Sequence, residues 1–235
     1  MKNNKYKYML YILFTIIILL INPKAISAKD RLHVITVAEW SDAIILESNG
    51  HFAMIDTGED FSYPDGSNPK YPDRKGITKD RSKITEDRLL SHIKELGIKK
   101  FDFILITHAH SDHVGGAYDI LKTIPTEKLY IKKYSDDRIS DKDRLWDNLY
   151  GYDRALAAAK ETGTQVIQDI SESDSKIKLG NIDIKLFNYK NEYDEDGKLT
   201  KVYDDNLNSI LSLLNINNTK IFLGGDLENT EKGKE

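Results

Sequence analysis

The sequence predicts a mixed α/β fold. Segments rich in β-branched and aromatic residues alternate with segments whose apolar residues recur every three or four positions. Two strand-rich halves each carry helices, and each half places a histidine or acidic motif at the C-terminal end of a strand. Of the 235 residues, 40% are apolar, which is enough to bury a substantial core in one large domain or two small ones.

Residues 1–28 have the features of an export signal. Three lysines precede an apolar run of thirteen residues, Met9 to Ile21, and the small-residue sequence AISA closes the segment. Because a membrane-spanning helix needs about 20 apolar residues, this run is short for a span. We predict a cleaved signal peptide, a secreted or cell-wall-associated protein, and one folded domain over residues 29–235. An uncleaved signal would be the only attachment to a membrane.

Charge and cysteine content restrict the function further. Four of the 34 basic residues lie in residues 1–28, so residues 29–235 carry 30 basic and 38 acidic residues, a net charge of −8. An acidic surface disfavours tight non-specific binding to nucleic acid, which requires positive charge against phosphates. The chain has no cysteine, so it forms no disulfide and offers no thiolate ligand or nucleophile.

The first predicted elements are three strands and a helix. RLHVITV, DAIILES and HFAMIDTG are strand-like runs, and Asn49-Gly50 between the last two is a strong hairpin signal. Residues 59–81 are rich in Pro, Gly and Asp without a period, which predicts a long loop or lid. From about Ser82 the apolar residues recur at helical spacing, and Gly97 is placed to cap that helix.

The alternation continues to Asp226. FDFILIT predicts a buried strand that runs directly into a group of histidines, followed by a helix in VGGAYDILKTI and a strand in KLYIKKY. Apolar residues from Leu145 to Ala159 recur at intervals of three and four, which predicts a helix that closes at Gly163. Five further strands are predicted in TQVIQ, SKIKLG, IDIKLFNY, SILSLLNI and TKIFLGG.

Half of the six histidines lie in the stretch ITHAHSDHVGG. His108, His110, Asp112 and His113 are too closely spaced to share one helix face, but a loop that leaves a strand end can turn all four inward. Neutral imidazole and carboxylate are ligands of zinc in open hydrolytic sites, and four within six residues would serve two ions. The alternative is a polar surface loop, which the preceding buried strand and the two following glycines disfavour.

Two acids at strand ends are candidates to complete this site. Asp226 in FLGGDLEN is our candidate for a carboxylate that bridges two cations. Asp56 in MIDTGED is expected to orient a ligand histidine, with an Asx turn that closes the strand as the alternative. His33, His51 and His92 lie in strand or helix patterns, and we expect ordinary packing or surface roles for them.

These motifs resemble a known family. THAHSDH, with IDTG upstream and LGGD downstream, resembles the metallo-β-lactamase superfamily, whose H-x-H-x-D-H signature is highly specific. The resemblance implies an αββα sandwich with two zinc ions at its seam. SDAIILESNGHFAMIDTGED, LWDNLYGYD and LGGDLEN are similar to the secreted, choline-binding phosphorylcholine esterases of streptococci, which trim choline phosphate from teichoic acids. The likeness extends from about Leu32 to Asn229.

The resemblance implies a role for each motif residue. His108 and His110 would ligate one zinc, Asp112 and His113 the other, and Asp226 would bridge them, so that Asp112 and Asp226 count as catalytic. A hydroxide held between the ions would release phosphorylcholine from choline-substituted teichoic or lipoteichoic acid. The family's remaining ligand is a histidine well beyond the GGD motif, and no histidine follows His113 here. We therefore expect a fragment that lacks the C-terminal part of the fold, or a site that is finished differently.

A choline-bearing substrate would need aromatic side chains, because a quaternary ammonium has no hydrogen to donate. Glu39 could add charge complementarity. The aromatic candidates are Trp40, Trp146, Tyr150, Tyr152 and Tyr63. Trp40 is the strongest of them, whereas the spacing of Trp146 and Tyr152 also fits the packed face of a helix.

The segment NEYDEDGK, residues 191–198, has alternating acids before a glycine, as in part of a calcium loop. It lacks the distal glutamate, so a solvated hairpin turn is favoured. Calcium is therefore a minor alternative to the two zinc ions.

Other functions stay open at this point. A phosphodiesterase acting on nucleic acid, similar to the metallo-β-lactamase domain of DNA-uptake proteins, would favour a basic groove, which a net charge of −8 disfavours. A lactamase shares only the metal motifs. A vestigial, non-catalytic wall-binding module would fit the absent distal histidine but not the intact cluster.

Overall fold

The computed structural model describes residues 30–35, 41–60, 62–77, 79 and 82–228, and only the backbone of residues 82–86. The predicted signal peptide, residues 1–28, lies outside the described residues, so its existence and the domain limit at residue 29 stay predictions. Within the described part of the chain, no helix is both long enough and apolar enough to cross a bilayer.

The first sheet has six strands in chain order. Strands β1 to β3 are antiparallel, and β4 to β6 run parallel to β3. Asn49 and Gly50 between β2 and β3 have φ values of 52° and 81°, as a type I′ hairpin turn requires. The strands are β1 Arg31–Val34, β2 Ala43–Ser48, β3 His51–Thr57, β4 Phe101–Leu105, β5 Thr126–Tyr130 and β6 Gln165–Ile167.

Four helices are described, and all contribute to the core on one face of this sheet. They are α1 Ser82–Glu95, α2 Ser111–Val114, α3 Ala117–Thr123 and α4 Asn148–Thr162. The predicted cap at Gly163 is confirmed, because its φ of 75° ends α4 in the left-handed region. The predicted start at Leu145 is wrong: Trp146 has a φ of 35°, which a helix does not allow, so α4 begins at Asn148.

The second sheet has four antiparallel strands in the order β10-β9-β8-β7. Alternation along β8 buries Ile182, Ile184 and Leu186 against the first sheet and exposes Lys185 on the other face. The strands are β7 Lys176–Leu179, β8 Ile182–Phe187, β9 Leu211–Ile216 and β10 Thr219–Leu223.

The central strands of the first sheet separate two apolar layers. Ile45, Met54 and Ile104 face the helices, whereas Leu46 and Leu105 face the second sheet. The predicted α/β class is confirmed, as is the face-to-face packing of two sheets expected from the resemblance. Phe222 and Lys185 are exposed on the outer face of the second sheet, where none of the described helices packs.

The predicted loops are confirmed over the residues that the structure describes, whereas a lid role for residues 59–81 stays a prediction. Residues 62–77 contain no regular element. In residues 191–198, Asp194 Oδ1 accepts hydrogen bonds from the backbone N–H groups of Asp196 and Lys198, and Tyr193 pairs with Leu199. This is the solvated hairpin turn that the sequence favours over a calcium loop. The strand predicted in KLYIKKY is shorter than expected and ends at Tyr130.

The fold places four segments at one edge of the sandwich. Asp56 lies near the end of β3, and the histidine cluster follows β4. A short 3-10 turn, Asp205–Asn208, precedes β9, and Asp226 follows β10. Gly116 lets the cluster approach β3 closely, because its N–H donates to Gly58 O at 2.9 Å and its Cα faces the Thr57 carbonyl.

We predict that Gly116→Ala lowers the free energy of unfolding by about 1–3 kcal/mol, since the added Cβ would overlap the Thr57 carbonyl oxygen. Urea denaturation followed by circular dichroism measures the change. Gly224→Ala is the matched control, because its Cβ would meet only Phe222 Cε1 at 3.8 Å. Equal stability of the two variants would contradict the close packing of this segment.

Candidate metal centre

Asp56 is hydrogen-bonded to Thr107, the residue that directly precedes the histidine cluster. Its Oδ1 accepts the backbone N–H of Thr107 at 2.7 Å, and its Oδ2 accepts the Thr107 hydroxyl at 2.7 Å. The same Oδ2 lies 2.8 Å from Nδ1 of His113. Asp56 is 2% exposed and has a φ of 55°, a backbone conformation that Asp and Asn tolerate better than most residues.

The cluster is only partly a loop. His108 and His110 lie between β4 and α2, as predicted, whereas Asp112 and His113 lie on the single turn of α2. The His110 carbonyl accepts the N–H groups of His113 at 3.0 Å and Val114 at 2.9 Å, which starts the helix directly after the second histidine. The expectation that one loop carries all four residues is therefore corrected.

The three imidazoles present free ring nitrogens. His108, His110 and His113 are each at most 4% exposed, and none of their Nε2 atoms has a hydrogen-bond partner among the described residues. The Nδ1 atoms are engaged in two cases: that of His108 lies 3.0 Å from Thr107 Oγ1, and that of His113 contacts Asp56. Buried polar atoms without partners are rare because they are costly, so a cation that accepts these nitrogens fits the site.

Three ligand atoms come together. One atom each of His108, His113 and Asp226 lie within 4.8 Å of one another, and Asp226 Oδ2 is 3.4 Å from His113 Nε2. Asp112 Oδ2 lies 3.8 Å from the same nitrogen. Small movements would bring these groups to the bond lengths of about 2.0–2.2 Å that zinc forms with imidazole and carboxylate. The donor set therefore fits a zinc ion.

His110 stands apart from this group. Its Nε2 lies 2.9 Å from Oδ1 of Asp204, a contact with the length but not the geometry of a hydrogen bond. A second set of close ligand atoms comes from Asp42, Asp56 and His113. The pairing of His108 with His110, and the bridging role of Asp226, therefore stay predictions.

The pKa shifts favour the metal-binding forms of His108 and Asp226, whereas His113 would have to release a proton before it binds a metal. Burial lowers the pKa of His108 well below its ordinary value, and His113 and His110 lower it further, so His108 is neutral. Burial would also lower the pKa of His113, but the charges of Asp56 and Asp226 raise it well above the ordinary value. The hydrogen bond from His113 lowers the pKa of Asp226, which stays ionised.

Sequence reasoning missed three acids near the cluster. Asp204, Glu59 and Asp147 are buried, and burial raises the pKa of both Glu59 and Asp147. Glu59 accepts from Ser111 Oγ at 3.4 Å, beside α2. The signal was weak: Asp204 lies in a polar loop before a strand, and Glu59 begins the long segment without a period.

Trp146 is the predicted substrate-binding residue that the structure places at the cluster. Its ring packs edge-on against His110, with centroids 4.9 Å apart, and it is partly exposed. Arg74, in the loop of residues 62–77, donates from NH1 to the Trp146 carbonyl at 2.9 Å. The long loop therefore reaches the candidate site through Trp146.

The other aromatic candidates have different surroundings. Tyr150 contacts Tyr71 and the guanidinium of Arg154, each at 5.4 Å. Tyr63 is 38% exposed, with Lys79 Nζ 5.7 Å from its ring centroid. None of these contacts involves the cluster.

Tyr152 is buried, which agrees with the packing alternative. Trp40 and Glu39 lie outside the described residues, so their substrate-binding role stays a prediction. The remaining histidines behave as expected. His51 is exposed beside Asp102, and His33 packs against His92 with ring centroids 5.7 Å apart.

Comparisons with known proteins relate one segment of the chain to a family. A model described as the metallo-beta-lactamase superfamily matches residues 41–152, which include β2 to β5, the cluster and the start of α4. None of the curated proteins matches the chain significantly.

Metallo-β-lactamases are among the solved structures that the chain matches. MIM-2 is 14% identical, with 83% of this chain and 57% of that chain covered and a TM-score of 0.44. The Cronobacter sakazakii enzyme with a HARLDQ motif is 12% identical, with 77% and 54% covered and a TM-score of 0.42. GOB-18 from Elizabethkingia meningoseptica is 18% identical, with 77% and 53% covered and a TM-score of 0.38. The chain thus spans little more than half the length of these proteins.

The family model covers less than half of the chain, so it shows what residues 41–152 are similar to. The groups of potential ligands in this segment and at Asp226 form a candidate metal site.

We predict that Asp56→Asn weakens zinc binding by about 10- to 100-fold, because His113 loses the charged acceptor that orients its ring. A competition titration with a chromophoric chelator measures the affinity. Asp102→Asn is the matched control, since Asp102 Oδ2 makes the same contact, at 2.6 Å, with the exposed His51. Equal affinities of the two variants would contradict the role of Asp56.

Proposed function

We propose that the protein is a zinc-dependent phosphodiester hydrolase that releases phosphorylcholine from choline-substituted cell-wall polymer. The observation that carries the hydrolase part is the convergence of two buried, unpartnered imidazole nitrogens, those of His108 and His113, beside Asp226. The choline part is supported by sequence likeness and by the partly exposed Trp146 next to His110. The activity, the substrate and the polymer partner are all part of this proposal.

The chain's own residues would hold and orient the reacting groups. Bound zinc would supply water of lowered pKa and offset the charge that develops on phosphoryl oxygens. His108, His113 and Asp226 would hold one ion, and Asp56 would keep the His113 ring turned toward it. Asp112 Oδ2, 3.8 Å from His113 Nε2, is close enough to join them.

Trp146 is suited to meet a quaternary ammonium. Such a cation is attracted to the face of an aromatic ring within about 6 Å, and tryptophan provides the strongest attraction. The Trp146 ring lies against His110 at an interplanar angle of 76°, and part of it stays open to solvent. A substrate with its phosphate at the metal centre would thus bring choline near this ring.

The charge of the chain supports a substrate other than nucleic acid. Residues 29–235 carry a net charge of −8, which disfavours nucleic acid more than a polymer whose phosphate charges are partly offset by cationic choline groups. The predicted signal peptide, residues 1–28, would deliver the enzyme to the outside of the cell, where a cell-wall polymer is reached. Retention of all four cluster residues argues against the vestigial wall-binding module.

We expect the zinc-loaded protein to hydrolyse p-nitrophenyl phosphorylcholine at least 10-fold faster than bis(p-nitrophenyl) phosphate, by release of p-nitrophenolate. Equal or reversed rates would leave a general phosphodiesterase and remove the choline assignment. Hydrolysis of nitrocefin in place of both esters would instead indicate a lactamase.

We predict that Trp146→Leu reduces the preference for the choline ester by roughly 2- to 30-fold, the range that loss of a cation–π contact of about 0.5–2 kcal/mol allows. The ratio of kcat/KM values for the two esters measures the preference. Tyr193→Leu is the control, because Tyr193 is an aromatic residue 46% exposed on the hairpin of residues 191–198. An unchanged ratio for Trp146→Leu would exclude it from the choline site.

A further inference from the structure

We infer that Asp204 is a metal ligand and that, with His110, it forms the second half of the metal centre. The inference rests on the proposed metal-dependent function, and it deepens that function by naming a donor outside the H-x-H-x-D-H motif. In the printed sequence no histidine follows His113, so a later donor within it has to be an oxygen. Asp204 is the residue whose oxygen the structure places against His110.

Asp204 is buried, and hydrogen bonds hold its carboxylate in place. Its side chain is fully buried, and its Oδ1 lies 2.9 Å from His110 Nε2. The same oxygen accepts the backbone N–H of Asn206 at 3.0 Å, which anchors it at the start of the 3-10 turn before β9. A carboxylate is costly to bury without compensation, so this placement needs a positive partner.

Arg144 supplies part of that compensation and fixes the orientation of the carboxylate. Its NH1 donates to Oδ2 of Asp204, the oxygen that does not face His110. Arg144 also lies 3.8 Å from Glu228 Oε1, just beyond Asp226 in the chain. With Oδ2 held by Arg144 and Oδ1 turned to His110, Asp204 presents one oxygen toward the ring nitrogen that a metal would use.

The alternative is a simple ion pair between Asp204 and a protonated His110. Two observations favour a shared cation. The Asp204–His110 contact lacks hydrogen-bond geometry, so it does not satisfy His110 Nε2 in the described structure. In addition, His108 lies directly beside His110, with ring centroids 4.6 Å apart, and its Nε2 is buried and unpartnered as well. One ion near each nitrogen satisfies both.

The arrangement defines two unlike ion sites. The group of His108, His113 and Asp226 offers two imidazoles and a carboxylate, whereas the Asp204 site offers one imidazole and a carboxylate. Zinc favours nitrogen donors relative to harder cations such as magnesium and manganese. The ion at His110 and Asp204 is therefore the more weakly held of the two, and the one that exchanges first.

Metal counting tests the inference without any substrate. The full 235-residue chain is loaded with zinc, dialysed, and analysed for zinc by mass spectrometry, with stepwise affinities from chelator competition. We expect two ions in the wild type and one in Asp204→Asn, with the affinity for the second ion lowered at least 100-fold, beyond the range of about 10- to 100-fold seen when a residue behind a ligand is lost. Asp204→His, which restores a donor, is expected to retain two ions.

Asp183→Asn is the matched control, since Asp183 is an exposed aspartate paired with Lys178 and is expected to retain two ions. Asp204→Asn that keeps wild-type zinc content and affinities would overturn the inference. The inference would also be overturned if circular dichroism shows that neither Asp204→Asn nor Asp204→His folds in the absence of metal. Asp204 would then be needed for folding alone. If Asp204→Asn loses one ion but the wild type shows no esterase activity, the inference is upheld and the proposed function is removed. If the wild type shows esterase activity but Asp204→Asn keeps both ions, the proposed function is upheld and the inference is removed.

Discussion

The hydrogen bonds between Asp56 and Thr107 tie together the ends of β3 and β4, and the candidate centre depends on that tie. Two parallel strands alone would leave the cluster on an unconstrained loop after β4. Asp56 instead uses one oxygen for the backbone of Thr107 and the other for its hydroxyl and for His113. The same carboxylate therefore sets the path of the chain into the cluster and the rotation of a candidate ligand on α2.

The charged and polar groups around these hydrogen bonds are largely buried, so their charges have to balance. A largely buried cluster of three imidazoles and several carboxylates is unfavourable unless positive and negative charges balance. Salt bridges do this at the edges, where Arg144 pairs with Asp204 and Arg154 pairs with the buried Asp60. At the centre the unpartnered Nε2 atoms remain, so cations would complete the balance and link the two sheets at the edge where β4 and β10 end.

Most of the fold and part of the site could be predicted because they depend on local sequence. The hairpin at Asn49-Gly50 and the cap at Gly163 follow from backbone conformations that few residues adopt. The cluster was visible because its donors are adjacent in the chain. Asp204 was not, because it is distant from His110 in the sequence and reaches it only in the folded chain, where Asp205 Oδ2 accepts the backbone N–H of Ala109. The start of α4 was missed because Trp146 adopts a left-handed conformation that tertiary packing imposes.

The left-handed backbone of Asp56 restricts how this sequence can change over evolutionary time. At a φ of 55° glycine, asparagine and aspartate are the residues most easily accommodated, and of these only aspartate carries the two anionic oxygens that Thr107 and His113 share. A protein that no longer bound the metal would not need the two anionic oxygens, but it would still need a residue that accepts the left-handed backbone. Related chains that have lost the histidines should therefore carry asparagine or glycine at this position, and a branched apolar residue there would mark a rebuilt strand end.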